Sequence, residues 1–331
     1  MRDMSEFRIT NLENISFLSS DRKTVLDCAI DAGIIFEHSC KTGRCGKCKA
    51  TLLEGEVSEI LPQSGLITTS KDNQFLTCCC MATSDILIDA EDISTLHWIK
   101  SKIFPCRINS IDLLSENIIK VKLRLPPALN MLFLPGQFID VIGPNSIKRS
   151  YSIASIPASK EISLLIKRIE YGEFSDYWFN EAKPNDFLRI EGPKGTFFLR
   201  DKQKKLVFLA TGTGIAPIQS ILEALDSDPN FNQSESISLF WGNRIQKDFI
   251  WKPNFKKLDV DVSLIVSRDN SNWHGEVGYV HDFALSKINN IHESRIYACG
   301  SSQMINSAKV KFLEAGLNER HFYSDPFVQS F

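Results

Sequence analysis

The sequence predicts a multidomain protein that combines α+β and α/β regions. Three observations support this fold class: a cysteine-rich N-terminal region with short strands, a middle region of closely spaced strands, and a C-terminal region in which strands alternate with helices. The length of 331 residues suits two or three domains. The apolar fraction of 43% supplies enough side chains for folded cores, which excludes a disordered chain.

Charge and hydropathy indicate which kinds of partner and which location to expect. The formal net charge of −2 lacks the basic footprint expected of a nucleic-acid scaffold. Residues 1–95 carry nine Lys and Arg against fifteen Asp and Glu, a net charge of −6, and the rest of the chain carries +4. No apolar stretch is long enough to span a bilayer, and no signal peptide is recognised. We therefore expect a soluble, cytoplasmic protein whose cysteines stay reduced and serve metal binding or chemistry.

The N-terminal region, 1–92, contains short strands and one helix. The strands are predicted at Glu6–Ile9, Ile15–Leu18 and Lys49–Glu54. Asp21 or Thr24 can cap the helix, which runs to about Ala32 and ends at Gly33.

The middle and C-terminal regions, 103–200 and 201–331, follow a linker at 93–102. They differ in the spacing and type of their predicted secondary structure. In the middle region, Pro and Gly turns separate strands at short intervals, which is typical of an antiparallel barrel. Its six strands are predicted at Phe104–Ile111, Ile118–Leu125, Gln137–Ile142, Arg149–Ala154, Ile162–Arg168 and Phe187–Glu191. In the C-terminal region apolar strands alternate with helices, so we expect a parallel α/β sheet. Its elements are strands Lys205–Ala210, Ser236–Trp241, Asp261–Val266 and Arg295–Ala298, and helices near Ile218–Leu225 and Met304–Ala315.

Three cysteines of the N-terminal region follow the spacing C-x4-C-x2-C: Cys40, Cys45 and Cys48. This spacing is that of plant-type [2Fe–2S] sites, which take a distant fourth cysteine. Cys78 is the candidate, because it follows a short strand-like approach on which alternation turns Cys79 away, and Cys80 is the alternative. A zinc site is the competing interpretation, although zinc usually takes paired C-x2-C units.

Residues 1–92 resemble a plant-type ferredoxin domain, which has a β-grasp fold. The resemblance rests on the loop Ser39–Cys48 and on Leu76-Thr77-Cys78. It implies one [2Fe–2S] cluster on the four cysteines named above. Gly43 and Gly46 within the loop allow the backbone to turn N–H groups towards the sulfurs.

The tetrapeptide Arg-Ser-Tyr-Ser at 149–152 lies on a predicted strand of the middle region. Alternation places Tyr151 on one face and the two serines on the other. Arg149 can neutralise a pyrophosphate through charge-assisted hydrogen bonds. Further on, Gly172 and Ser175 precede an aromatic helix whose start suits a phosphate. An ordinary strand with one exposed arginine also explains the tetrapeptide when it is taken alone.

A glycine-rich turn, Thr211-Gly212-Thr213-Gly214, follows a strand of the C-terminal region and opens a helix. Its two glycines allow the backbone to approach a pyrophosphate closely. Pro217 stands where the dinucleotide fingerprint has its third glycine, so a plain strand-to-helix turn is the alternative. Arg244 and Arg268 each follow a strand, where they could pair with a 2′-phosphate or remain solvated.

The middle and C-terminal regions resemble the ferredoxin–NADP reductase superfamily. The matching segments are 134–138, 149–152, 172–175, 212–217, 297–301 and 322–327. The resemblance implies that Arg149 contacts the flavin pyrophosphate, Tyr151 the isoalloxazine and ribityl, and Ser152 the vicinity of flavin N5. It also implies that Gly172 and Ser175 contact the phosphates.

The same resemblance places Cys299 beside the nicotinamide and the aromatic tail against the flavin. A buried strand-end thiol is the alternative for Cys299. Ser152 and Cys299 are therefore the candidate catalytic residues. The candidate cofactor-binding residues are Arg149, Tyr151, Ser152, Lys167, Gly172, Ser175, Thr211, Gly212, Thr213, Gly214, Cys299, Gly300 and Phe327.

Over the whole chain, the architecture resembles the NADH-dependent iron–sulfur flavoprotein reductases. The resemblance implies a ferredoxin domain at 1–92, an FAD-binding barrel at 103–200 and an NAD(P)-binding domain at 201–331. Electrons would pass from NADH to FAD, to the [2Fe–2S] cluster and then to a partner protein, with no nucleic acid or membrane involved.

Segments 146–152 and 322–327 look most like the reductases that serve a pyridoxamine-phosphate-dependent dehydrase in CDP-3,6-dideoxyhexose biosynthesis for surface lipopolysaccharide. The reductase component of a multicomponent oxygenase is the first alternative. A redox sensor that does not turn over is the second.

Overall fold

The computed structural model describes residues 6–61, 73–94, 99–200, 204–233, 235–268 and 273–327. Residues 95–98 of the predicted linker lie outside the described part. The chain divides into two compact units, Met1–Trp98 and Ile99–Phe331. Within the described part, no helix is both long and apolar enough to cross a membrane.

The first unit folds around one helix and short strands. Its elements are β1 (Arg8–Asn11), β2 (Ser16–Leu18), α1 (Val25–Asp31), β3 (Lys49–Glu54), β4 (Val57–Glu59), β5 (Gln74–Leu76), β6 (Cys80–Ala82) and β7 (Ile86–Asp89). The strand order in the main sheet is β2-β1-β7-β3-β5, in which β1 and β7 run parallel, and β4 pairs with β6 separately. The three predicted strands are confirmed within two residues.

The predicted helix is also confirmed. Thr24 caps α1, since its hydroxyl accepts from the backbone N–H of Asp27 at 3.1 Å. Gly33 follows the helix with φ +80°, a conformation that glycine adopts without strain.

The second unit begins with an antiparallel barrel. Its strands are β8 (Lys102–Ser115), β9 (Ile118–Arg124), β10 (Phe138–Ile142), β11 (Lys148–Ser152), β12 (Glu161–Lys167) and β13 (Phe187–Lys194). They follow the order β11-β10-β13-β8-β9-β12, and a bridge between Ile153 and Leu164 joins the two ends. A short helix α2 (Glu173–Asp176) continues into a π-helical turn at Tyr177–Glu181. The six predicted strands are confirmed, with ends shifted by up to four residues.

The rest of the second unit is a parallel six-stranded sheet with helices. Its elements are β14 (Lys205–Thr211), α3 (Ile215–Ser227), β15 (Ile237–Asn243), β16 (Val260–Val266), β17 (Glu276–Val277), α4 (Val280–Lys287), β18 (Ser294–Ser301), α5 (Ser302–Glu314) and β19 (Phe322–Phe327). The strand order is β17-β16-β15-β14-β18-β19. From β14 the chain first adds strands on one side, β15 to β17, and then on the other, β18 and β19. Sheets with such a reversal bind ligands in the crevice at the carboxyl ends of the strands beside it, which here are β14, β15 and β18.

Candidate cofactor-binding sites

The cysteine-rich loop directs backbone N–H groups at sulfur atoms. The N–H of Thr42 donates to Sγ of Cys40 at 3.3 Å, and the N–H of Gly43 donates to Sγ of Cys78. Gly43 and Gly46 have φ of +73° and +70°, which glycine alone adopts readily. The expectation that this loop aims N–H groups at sulfur is therefore confirmed for Gly43.

The four predicted ligand cysteines meet as two pairs. Sγ of Cys48 donates to Sγ of Cys78 at 3.0 Å, and the thiol of Cys45 donates to Cys40. The hydrogen bond from Cys45 lowers the pKa of Cys40 below its ordinary value, and that from Cys48 lowers the pKa of Cys78. The same bonds raise the pKa values of the donors Cys45 and Cys48. Each pair brings two soft sulfur ligands together, which suits ligation of iron.

No three His, Cys, Asp or Glu side chains among the described residues are arranged around a single metal ion. The fit to a cluster of two irons rests instead on the two cysteine pairs. The ligand set itself stays a prediction.

The neighbouring cysteines differ from expectation in one respect. Cys78 and Cys79 lie in the turn between β5 and β6, so strand alternation does not apply to them. Sγ of Cys79 lies 3.6 Å from Sγ of Cys78 instead of pointing away. Burial raises the pKa of Cys79 to about 12 and that of Cys80 to about 11. Cys78 is the member of the run whose Sγ accepts a hydrogen bond from Cys48 of the loop.

Strand β11 carries the tetrapeptide predicted to bind flavin. Tyr151 lies opposite Ile139 of β10, its hydroxyl accepts from Nε1 of Trp178 at 3.1 Å, and its ring stacks on that of Phe174 with centroids 6.1 Å apart. Burial raises the pKa of the Tyr151 hydroxyl, so it stays protonated. The phenol is therefore held by two aromatic neighbours: Phe174 lies in the recognised segment 172–175, and Trp178 lies in the aromatic helix that follows it.

Arg149 and Ser152 occupy the two ends of the same tetrapeptide. Arg149 is half-buried, and its Nη1 donates to the backbone carbonyl of Lys148 at 2.9 Å. Ser152 is buried, with 7% of its surface exposed. Both stay predicted flavin ligands.

The groups predicted to bind phosphate at Gly172 and Ser175 make contacts within the protein. The hydroxyl of Ser175 accepts from the backbone N–H of Ile169 at 2.8 Å and closes the loop before Gly172. Helix α2 has only four residues and carries Glu173 and Asp176, whose charges oppose phosphate binding. The contacts of Gly172 and Ser175 with the flavin phosphates stay a prediction.

Lys167 connects the barrel to the parallel sheet. Its Nζ lies 3.6 Å from Oδ2 of Asp248, a buried carboxylate that also accepts from the hydroxyl of Ser115 at 3.1 Å. Asp248 itself gave no sequence signal, because its partners come from distant strands.

The glycine turn after β14 combines one open position with one crowded position. Gly212 has φ +57°, and a Cβ added there would meet nothing within 4 Å. A Cβ on Gly214 would lie 2.3 Å from the carbonyl oxygen of Cys299. Nε1 of the buried Trp241 donates to the carbonyl oxygen of Gly212 at 3.0 Å and holds the turn. Thr213, which lies between the two glycines, is buried.

Cys299 lies inside β18 next to this turn. Its exposed fraction is 0%, and burial raises the pKa of its thiol well above the ordinary value. Gly300 has φ +138°, and the adjacent N–H of Ser301 donates to the hydroxyl of Thr211 at 3.1 Å. Phe327 ends β19 beside Ser301 with 39% of its surface exposed. The burial of Cys299 matches the alternative of a buried thiol, and its catalytic role stays a prediction.

The two arginines considered for a 2′-phosphate are neighbours. The backbone N–H of Arg268 donates to the carbonyl of Arg244 at 3.2 Å, because β15 and β16 end side by side. Both side chains are exposed.

Three family models match successive parts of the chain. A 2Fe-2S iron-sulfur cluster binding domain matches residues 10–83, an oxidoreductase FAD-binding domain matches 105–199 and an oxidoreductase NAD-binding domain matches 208–310. These matches confirm the predicted fold class and the three predicted cofactors.

Relatives match the chain along its length. The chain is 40% identical to CDP-6-deoxy-L-threo-D-glycero-4-hexulose-3-dehydrase reductase of Yersinia pestis, over 96% of both chains. It is 28% identical to terephthalate 1,2-dioxygenase reductase component 1 of a Comamonas species, again over 96% of both. Among solved structures, the ferredoxin reductase in carbazole 1,9a-dioxygenase matches with a TM-score of 0.67 and 25% identity, covering 99% of this chain and 100% of that one.

Proposed function

The chain belongs to the ferredoxin–NADP reductase superfamily of iron–sulfur flavoprotein reductases, and we propose that it reduces the pyridoxamine-phosphate-dependent dehydrase of CDP-3,6-dideoxyhexose biosynthesis. It is an NAD(P)H-dependent oxidoreductase with FAD and [2Fe–2S] cofactors. The 40% identity to a reductase named for such a dehydrase supports this partner. The location proposed is the cytoplasm, where reducing conditions keep the nine cysteines out of disulfides and available for metal binding.

The bound cofactors supply the redox chemistry, in which FAD is a two-electron hydride acceptor and the cluster a one-electron carrier. In the proposed site, Cys40, Cys45, Cys48 and Cys78 would hold the cluster through their sulfur atoms. Arg149 would neutralise the flavin pyrophosphate, and the hydrogen bond from Trp178 would hold the phenol of Tyr151 in place to contact the flavin.

The nicotinamide donor binds at the crevice beyond the carboxyl ends of the parallel strands. Gly212 leaves open space for the backbone to approach a pyrophosphate, and the hydrogen bond from Trp241 keeps the turn in that conformation.

Replacing Arg149 with alanine is expected to weaken FAD binding at least about tenfold, since hydrogen bonds to charged groups contribute about 1.5–3 kcal/mol. The dissociation constant is measured from the recovery of flavin fluorescence on dilution. Arg107→Ala, which removes an exposed barrel arginine, is the matched control and should leave FAD affinity unchanged. Equal FAD affinity in the two variants would show that Arg149 does not bind the flavin.

NADH is proposed as the donor in preference to NADPH, so kcat/KM should be higher for NADH. The neighbouring Arg244 and Arg268 test this choice, because two exposed arginines could pair with a 2′-phosphate. Steady-state reduction of cytochrome c with each donor measures the ratio. A clear preference for NADPH would contradict the proposal. If Arg244→Ala reversed that preference, Arg244 and Arg268 would be assigned to binding of the 2′-phosphate.

The partner is tested by reconstitution. The protein, NADH, the dehydrase and a CDP-4-keto-6-deoxyhexose should together yield the 3-deoxy product, detected by mass spectrometry. Cys45→Ser should abolish that product and leave the bleaching of flavin absorbance by NADH largely intact, because the variant loses a cluster ligand only.

The oxygenase reductase is the second candidate, since the chain also resembles a dioxygenase reductase component. Absence of the 3-deoxy product, with active support of a Rieske or diiron oxygenase, would establish that alternative. A redox sensor would instead fail to reduce cytochrome c with NADH in steady state.

A further inference from the structure

A charged network lies on the face of β11 opposite Arg149 and Tyr151. At its centre is Asp140 of β10, which has only 8% of its surface exposed. Oδ1 of Asp140 accepts from the hydroxyl of Ser150 at 2.5 Å. Its Oδ2 accepts from Nζ of Lys194 at 2.7 Å and lies 3.3 Å from Nζ of Lys148.

Glu191 is the second acid of this charged cluster. We call the cluster the Asp140 network, and its members are Asp140, Lys148, Ser150, Glu191 and Lys194. Glu191 binds Nζ of Lys194 at 3.0 Å and also binds Lys148. Asp140 lies directly opposite Ser150 on one side and Glu191 on the other. Two carboxylates facing each other across strands repel, so the two lysines are what makes this row stable.

The network matters for the flavin because of where β11 lies. This strand ends the sheet order and pairs along its length with β10 only, apart from the bridge at Ile153. Ser150 sits between Arg149 and Tyr151, so the contact that fixes Ser150 also fixes the backbone carrying both flavin-binding side chains. The carbonyl that orients Arg149 belongs to Lys148, another member of the network.

We propose that Asp140 is a positioning residue for FAD, which holds Arg149 and Tyr151 in register by anchoring Ser150 and Lys148 on the opposite face of the strand. The inference rests on the proposed flavin role of Arg149 and Tyr151. No side chain of the network needs to contact the flavin for this role.

Asp140→Ala is expected to raise the FAD dissociation constant about tenfold and to change the visible circular dichroism of the bound flavin. The circular dichroism separates positioning from a general loss of stability, because it reports the surroundings of the isoalloxazine in the molecules that remain folded. The matched control is Glu293→Ala, which removes a carboxylate bound to Lys205 at 3.0 Å in the parallel-sheet region. This control should leave the FAD dissociation constant and the circular dichroism unchanged.

Ser150→Ala cuts the link between the network and β11 without removing a charge, and it carries the test if Asp140→Ala does not fold. It should raise the FAD dissociation constant severalfold, by less than Asp140→Ala. Wild-type affinity and circular dichroism in these variants, together with weak binding in Arg149→Ala, would overturn the positioning role alone. Wild-type affinity in Arg149→Ala as well would overturn the proposed flavin site.

Discussion

Replacing Cys78 with serine is expected to abolish stable assembly of the [2Fe–2S] cluster, whereas Cys79→Ser should retain it. Sγ of Cys78 lies 3.0 Å from that of Cys48 in the loop, and it also accepts a hydrogen bond from the N–H of Gly43. Iron and acid-labile sulfide per chain, visible absorption and the electron paramagnetic resonance of the reduced protein measure the outcome.

The Cys79 variant is a strict control, because its sulfur lies only 3.6 Å from that of Cys78. Both thiols are buried, so the two substitutions disturb packing to a similar degree. If the cluster were lost in Cys79→Ser and retained in Cys78→Ser, Cys79 would be the fourth ligand. Loss in Cys80→Ser alone would move it to the first residue of β6.

The cluster loop illustrates what sequence alone can and cannot predict. The C-x4-C-x2-C spacing is a local pattern, so the sequence by itself indicates three ligand candidates. The position of Cys79 depends on how the chain turns between β5 and β6. Alternation along a strand is the wrong rule there, since the strand ends at Leu76.

The same distinction holds in the second unit. Barrel and sheet strands can be predicted because their apolar residues and turns are local signals. Helix α4 is missed, since His281, Asp282 and Ser286 interrupt its apolar pattern. Trp241 and Asp248 act through partners far away in sequence, so no local pattern could assign them.

Gly214→Ala is expected to lower the free energy of unfolding by about 3 kcal/mol, because the new methyl group meets backbone atoms that cannot move independently. It would lie 2.3 Å from the carbonyl oxygen of Cys299 and 2.7 Å from Cα of Gly300. Relief requires the turn after β14 to move away from β18, and these two strands are neighbours at the centre of the parallel sheet. Thermal unfolding of the holoprotein, followed by circular dichroism, measures the loss.

Gly212→Ala, two residues away, is the matched comparison and should behave differently. Its methyl group meets nothing within 4 Å, so the stability cost is limited to the strain of φ +57°, about 1 kcal/mol. That methyl group does occupy the space proposed for the dinucleotide, and KM for NADH should rise about tenfold with FAD content unchanged. An unchanged KM would place the pyrophosphate away from this turn. Equal unfolding temperatures for the two variants would show that β18 yields to the methyl group at Gly214.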